Sequence, residues 1–126
     1  MAERILQMLQ RDSVRYPSRF PVRMGLRIQV VLTEDIEWIA AAGDYAELHA
    51  AGRSHLLRET MNSLEEKLDP AQFLRIHRSR ILRLTRIREL RAIDNREYLV
   101  KLSDGTEHRS SRTYADRLEN WLSSNL

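Results

Sequence analysis

The chain contains no cysteine, which excludes disulfides and thiolate metal ligands. Glycine is nearly as scarce: there are four, and none sits in a glycine-rich loop that could cradle a nucleotide phosphate. No apolar run approaches the ~20 residues that a membrane-spanning helix needs. The charged start MAERILQMLQRD does not resemble a signal peptide. A cytoplasmic location and no membrane partner are therefore expected. Lysine is almost missing, since 19 of the 21 basic residues are arginine. With 126 residues, 42% hydrophobic and 31% charged, the chain is long enough for one globular domain with a core of its own.

Catalytic and metal-binding signals are also lacking. His49, His55, His77 and His108 form no HxxxH or HExxH pair, and zinc requires three or four converging ligands. Ser79 stands two residues from His77, but no GxSxG elbow is present. The expectation is a protein that is not an enzyme, with no metal and no cofactor.

What is present is a ribbon of arginines. From Phe73 to Arg91 the chain reads FLRIHRSRILRLTRIRELR, in which seven arginines alternate with apolar residues and Glu89 is the sole acid. Read as strands, this pattern buries the apolar residues and turns the guanidinium groups outwards. Guanidinium is planar, permanently charged and fork-shaped, which suits phosphate oxygens and the major-groove edge of guanine. The plainer reading is a solvated strand pair whose charges keep the fold soluble. Charge is also unevenly distributed. Residues 28–69 carry nine acids against Arg53, Arg58 and Lys67, whereas residues 70–126 carry twelve bases against seven acids. Such a dipole would orient the molecule against a polyanion.

Residues 1–21 are expected to be a linker or N-terminal arm, with a short helical stretch over 3–12 that ends before Tyr16-Pro17 and Phe20-Pro21. The domain then spans 22–126. Alternation predicts strands over 26–32, 36–40, 45–49 and 54–58, with a corner at Gly43-Asp44. Thr60 is positioned to cap a helix over 61–68. The arginine ribbon supplies strands over 73–76 and 86–93 with an irregular middle. Asp94-Asn95 and Asp104-Gly105 signal hairpin turns on either side of a strand over 97–102. A last helix covers 113–123, with Leu118, Trp121 and Leu122 on its buried face. Trp38 and Trp121 both read as core residues. Within the polar interruption at 77–80, His77 reads as a core or turn histidine that bonds a nearby carbonyl and fixes the bend, while Arg78 and Arg80 are candidates to read bases or clamp phosphates.

The constellation of FLRIHRS at 73–79, preceded by LEEKL at 64–68, with DIEWI at 35–39, AGDY at 42–45, LRET at 57–60 and SRTY at 111–114, resembles the LytTR-type DNA-binding domain. The resemblance extends over about residues 22–122. It implies a mainly β fold, an elongated stack of small antiparallel sheets with one short internal helix and a C-terminal helix. It also implies the output part of a bacterial two-component response regulator, placed behind a receiver domain, that binds promoter DNA. Such domains often bind as homodimers on direct repeats and insert loops into successive major grooves. Matched residue by residue, the implied contacts are the corner at 44–47 (Asp44, Tyr45 and Glu47), Arg78 and Arg112, with His77, Ser79, Arg80 and Ser111 positioning them or binding phosphates. Where the family commonly continues with an aromatic or aliphatic residue and then valine-asparagine, this chain has Arg80 and Leu82-Arg83, which would add charge near the DNA face. No receiver domain lies within the 126 residues, so the expectation is a cut-out output domain or a stand-alone regulator, and the linker-like residues 1–20 favour the first.

The alternative from a different class is a protein–protein interaction module with incidental, non-specific affinity for nucleic acid. Single-stranded RNA binding ranks below both, because the ribbon has no aromatic platform between Phe73 and Tyr98 on which bases could stack.

Overall fold

The computed structural model describes residues 16–124. Strands β1 (Arg19–Met24) and β2 (Arg27–Leu32) form a two-stranded antiparallel ribbon. Strands β3 (Ile36–Ala42), β4 (Tyr45–Ala50), β5 (Arg53–Leu57), β6 (Phe73–His77) and β7 (Arg80–Arg83) build the central antiparallel sheet in the order β5-β4-β3-β7-β6. A third sheet holds β8 (Ile87–Asp94), β9 (Glu97–Leu102) and β10 (Glu107–Arg109). Helix α1 (Met61–Lys67) joins β5 to β6, and α2 (Ala115–Ser124) follows the last strand. The expected fold class, a mainly β stack of small antiparallel sheets with two helices, is what is observed.

Strand alternation sorts the side chains of the central sheet onto two faces, each with its own core. Ile39, Leu48 and Ile81 pack with Phe20, Val22 and Val31 of the ribbon and with Met61 and Leu64 of α1. On the other face, Ile76 and Leu82 meet Val100 and Leu102 of the third sheet and Leu118 of α2. Each fully buried aliphatic side chain contributes about 1.5–3 kcal/mol, so both interfaces are held mainly by apolar burial. Helix α1 begins where the sequence places its cap: the Ser63 N–H donates to Thr60 Oγ1 at 3.0 Å.

Trp38 joins the second core. Its ring stacks on His49 with centroids 3.5 Å apart and meets His108 edge-on at 4.5 Å. Its Nε1–H donates to Asp104 Oδ2 at 3.1 Å. The Thr106 hydroxyl donates its one proton to Asp104 Oδ1 at 2.6 Å, so toward His108 Nε2, 2.8 Å away, it acts as acceptor. His108 Nδ1 is then an unprotonated nitrogen without a partner in the interior, and burial pushes this histidine down to about 4.

Three expectations are corrected. Residues 19–21 of the expected arm belong to β1, and Phe20 is buried in the first core. Pro21 is tolerated there because β1 is an edge strand with one neighbour. The middle of the arginine ribbon is a strand, β7, wedged between β3 and β6. Nor do all seven arginines point outwards. Arg75 and Arg83 are buried at 7% and 9% exposure. Arg83 lies over the Phe73 ring and donates through Nε to the Ile36 carbonyl at 2.6 Å and through Nη2 to the Thr33 carbonyl at 2.5 Å. Its charge is spent inside the fold and adds nothing to an outer face. The short helical stretch expected over 3–12 lies outside the described residues.

Candidate nucleic-acid interface

The antiparallel pairing brings three separate sequence motifs to one end of the central sheet. The end of β3 and the start of β4 meet at the Gly43-Asp44 turn, and the end of β6 and the start of β7 meet at Arg78-Ser79. Because β3 also pairs with β7, these two turns are neighbours, and the Ala41 N–H donates to the Ser79 carbonyl at 3.0 Å. The third motif arrives from the other end of the chain. The Ser111 N–H donates to the Ile76 carbonyl at 2.9 Å, which sets Ser111 and Arg112 beside the last residues of β6.

The first turn is encoded by its backbone. Gly43 has φ +63°, a conformation that a side chain disfavours and that type I′ and II′ hairpin turns require at their first position. Asp44 and Tyr45 are exposed. Glu47, grouped with them from sequence, lies within β4 and is half-buried, with its carboxylate against His49 Nε2.

The second turn is encoded by side chains. His77 Nδ1 accepts from the Ser79 N–H at 3.1 Å and from Ser79 Oγ at 2.9 Å. The contact closes the bend that His77 was expected to fix, through Ser79 and not through a carbonyl. Burial, together with the charges of Arg78, Arg80 and Arg75, lowers the His77 pKa below its ordinary value and keeps Nδ1 free to accept. Arg78 is exposed at the tip. Arg80 is half-buried, its guanidinium 5.6 Å from the Trp38 ring centroid and donating to the Ser79 carbonyl at 3.0 Å.

The third element is a 3-10 turn, Arg112–Tyr114, that leads into α2. Ser110 is fully buried and anchors it: its N–H donates to the Tyr98 carbonyl, and its Oγ accepts from the Tyr98 N–H, each at 2.9 Å. Arg112 itself is exposed. One end of the molecule therefore displays Arg78 and Arg112 on rigid supports, with Asp44 and Tyr45 at the adjoining corner.

Sequence reading missed the residues beneath this surface. Arg75 donates to Asn62 Oδ1 at 2.5 Å and Glu65 Oε2 at 3.0 Å on α1, and to the carbonyls of His77 at 3.3 Å and Arg78 at 2.6 Å. Glu65 also accepts from Arg117 of α2, and both arginines lie over the Tyr114 ring. Although burial opposes it, hydrogen bonds from Arg75 and Arg117 hold the Glu65 carboxyl below its usual range. The available signal was Arg75's place between Leu74 and Ile76, on a strand whose two faces are both covered.

Comparison with known proteins bears on the family and the fold. The LytTr DNA-binding domain family matches residues 27–123. The transcriptional regulatory protein LytR of Staphylococcus aureus is 28% identical over 102 residues, covering 81% of this chain and 42% of that protein. The sensory transduction protein LytT of Bacillus subtilis is 28% identical over 104 residues, covering 82% and 43%. The CO-responsive transcriptional regulator RcoM of Rhodospirillum rubrum is 33% identical over 85 residues, covering 68% and 36%. The chain thus spans less than half the length of these relatives. Among solved structures, a LytTr DNA-binding domain from Bacillus cereus superposes with a TM-score of 0.75 at 18% identity, covering 83% of this chain and 96% of that one.

Proposed function

The chain belongs to the LytTr DNA-binding domain family, and from that premise we propose that it binds double-stranded promoter DNA sequence-specifically as the effector part of a response regulator. The observation that carries this reading is the convergence of the Gly43-Asp44 turn, the Arg78 turn and the Ser111-Arg112 element at one end of the central sheet. Arg78 and Arg112 read base edges in successive major grooves; both are exposed. His77 and Ser79 shape the turn that carries Arg78, and Ser111 seats Arg112. Arg80 and the remaining exposed arginines supply phosphate attraction that weakens with salt. Asp44 and Tyr45 line the edge of the contact, and Glu47 stays behind it with His49. Binding as a pair on direct repeats, in the cytoplasm and under the control of an upstream receiver domain, completes the proposal.

The test is titration of the chain onto duplexes selected from a randomised pool and onto random duplex, at several salt concentrations. Arg78→Ala and Arg112→Ala should each lose about 1–3 kcal/mol of discrimination between the two. Equal loss on selected and random duplex for both variants refutes base reading.

A second reading, contact with another protein or domain, is favoured by one observation. Ile28, Val30 and Leu32 lie on the outer side of β2, where they are 61%, 53% and 42% exposed. Arg78→Glu separates the two, since it abolishes DNA binding and leaves a complex made through β2 intact.

A further inference from the structure

We propose that Arg75 is a positioning residue for DNA reading: it sets the direction of Arg78 and ties that turn to the element that carries Arg112. The inference rests on the proposed role of Arg78.

Three features of the guanidinium point to this role. First, its hydrogen bonds grip consecutive carbonyls. Nε holds the His77 carbonyl and Nη2 the Arg78 carbonyl. These two carbonyls belong to the peptide planes on either side of the Arg78 Cα. Each plane is rigid, so fixing both fixes φ and ψ of Arg78, and with them the direction of its Cα–Cβ bond. Second, the turn needs that grip. Two-residue hairpins favour positive φ at one or both turn positions, yet Arg78 and Ser79 are not among the residues with positive φ, and the β6–β7 register slips between Arg75 and His77. Third, the guanidinium is anchored from behind. Asn62 and Glu65 of α1 hold Nη1, Glu65 also binds Arg117, and the Tyr114 ring lies 5.4 Å from Arg75 Cζ and 5.0 Å from Arg117 Cζ. Tyr114 closes the 3-10 turn that begins at Arg112. One buried fork therefore keys both reading elements to the same helix. With Glu65 paired to it and 7% exposure, Arg75 contributes geometry and not phosphate attraction.

Arg75→Lys keeps the charge and removes the fork. The full chain should still fold, by thermal melting, and should bind random duplex with unchanged affinity and salt slope. Its preference for duplexes selected by the unaltered chain should fall about tenfold, the scale of one lost base contact. If Arg75 acts through Arg78, the double variant Arg75→Lys/Arg78→Ala is no worse than Arg78→Ala alone. Full preference in Arg75→Lys, or losses that add in the double variant, overturns the proposal. Should Arg75→Lys fail to fold, Asn62→Ala and Glu65→Gln loosen the same clamp from its exposed side. They should then give a smaller loss that again vanishes in the Arg78→Ala background, and no loss overturns the proposal. Amide resonances of Arg78 and Ser79 give an independent readout without DNA: they should shift in Arg75→Lys, and unmoved resonances overturn the clamp. A null result for Arg78→Ala itself would strike the proposed DNA reading and leave the clamp to be judged by those amides.

Discussion

Two hairpin turns stand side by side at the end of the central sheet and solve the same problem by different means. Gly43-Asp44 relies on a backbone freedom that glycine alone offers cheaply, and an added Cβ at Gly43 would meet nothing within 4 Å. Arg78-Ser79 has no glycine and no positive φ, and is held by His77 from within and by Arg75 from below. A turn set by its own backbone depends little on the side chains around it. A turn set by buried side chains fixes the direction of what it carries, which suits the base-reading role proposed for Arg78. The difference also separates stability from recognition, and substitutions in the two turns should divide along that line.

Gly43→Ala should produce the larger loss of stability. The strain of a side chain at φ +63° costs roughly 1–2 kcal/mol. The expected result is a lower melting temperature with the Arg78-dependent preference for selected DNA intact. A preference lost in step with stability would mean that the two turns are one cooperative unit. Thr60→Ala comes next. It removes the cap of α1, which carries Asn62 and Glu65, and should cost about 1 kcal/mol. Because α1 anchors Arg75, this variant should also weaken the preference slightly, which Gly43→Ala should not. Melting curves and paired titrations of both variants check the ordering.

The same division explains what could be read from sequence. Gly43-Asp44, Asp104-Gly105 and the Thr60 cap are local signals, written in one to three adjacent residues, and each appears where expected. The strand β7 was hidden because Arg80 and Arg83 at its ends suggest a solvated loop, while Arg83 is buried against Phe73 and two carbonyls from distant residues. β1 was hidden because Pro17 and Pro21 read as breakers, although an edge strand accepts proline. The exposed residues Arg78 and Arg112 were singled out as candidates through motif order. Their support was not, because nothing within FLRIHRS says that Arg75 faces Asn62 and Glu65 across the first core. An arginine's sequence position does not reveal whether it faces solvent or buried acceptors; for Arg75 that depends on side chains 10 and 13 residues away, and for Arg83 on carbonyls 47 and 50 residues away.

The smallest expected effect lies in His77 and sharpens the comparison further, because only the side-chain-held turn should respond to pH. His77 accepts two hydrogen bonds at Nδ1, and protonating that nitrogen breaks the one from the Ser79 N–H and reverses the one from Ser79 Oγ. Its folded-state value is lowered, first by burial and then by Arg78, Arg80 and Arg75, with Glu97 opposing weakly. The sign follows directly. A histidine depressed by folding contributes fully above its ordinary value of 6.5, and that contribution is lost as pH falls through the lower folded value. Protonation also adds a positive charge beside Arg78, which favours phosphate on any sequence. Acid should therefore act in opposite directions on the two duplexes: binding to random DNA tightens while Arg78 loses its fixed direction. The ratio of selected to random affinity, measured from about pH 8 to about pH 5, should decline in the unaltered chain. His77→Gln should start from a lower ratio and stay flatter. A ratio that holds steady or rises with acid would show that Arg75 alone maintains the turn, leaving His77 as packing.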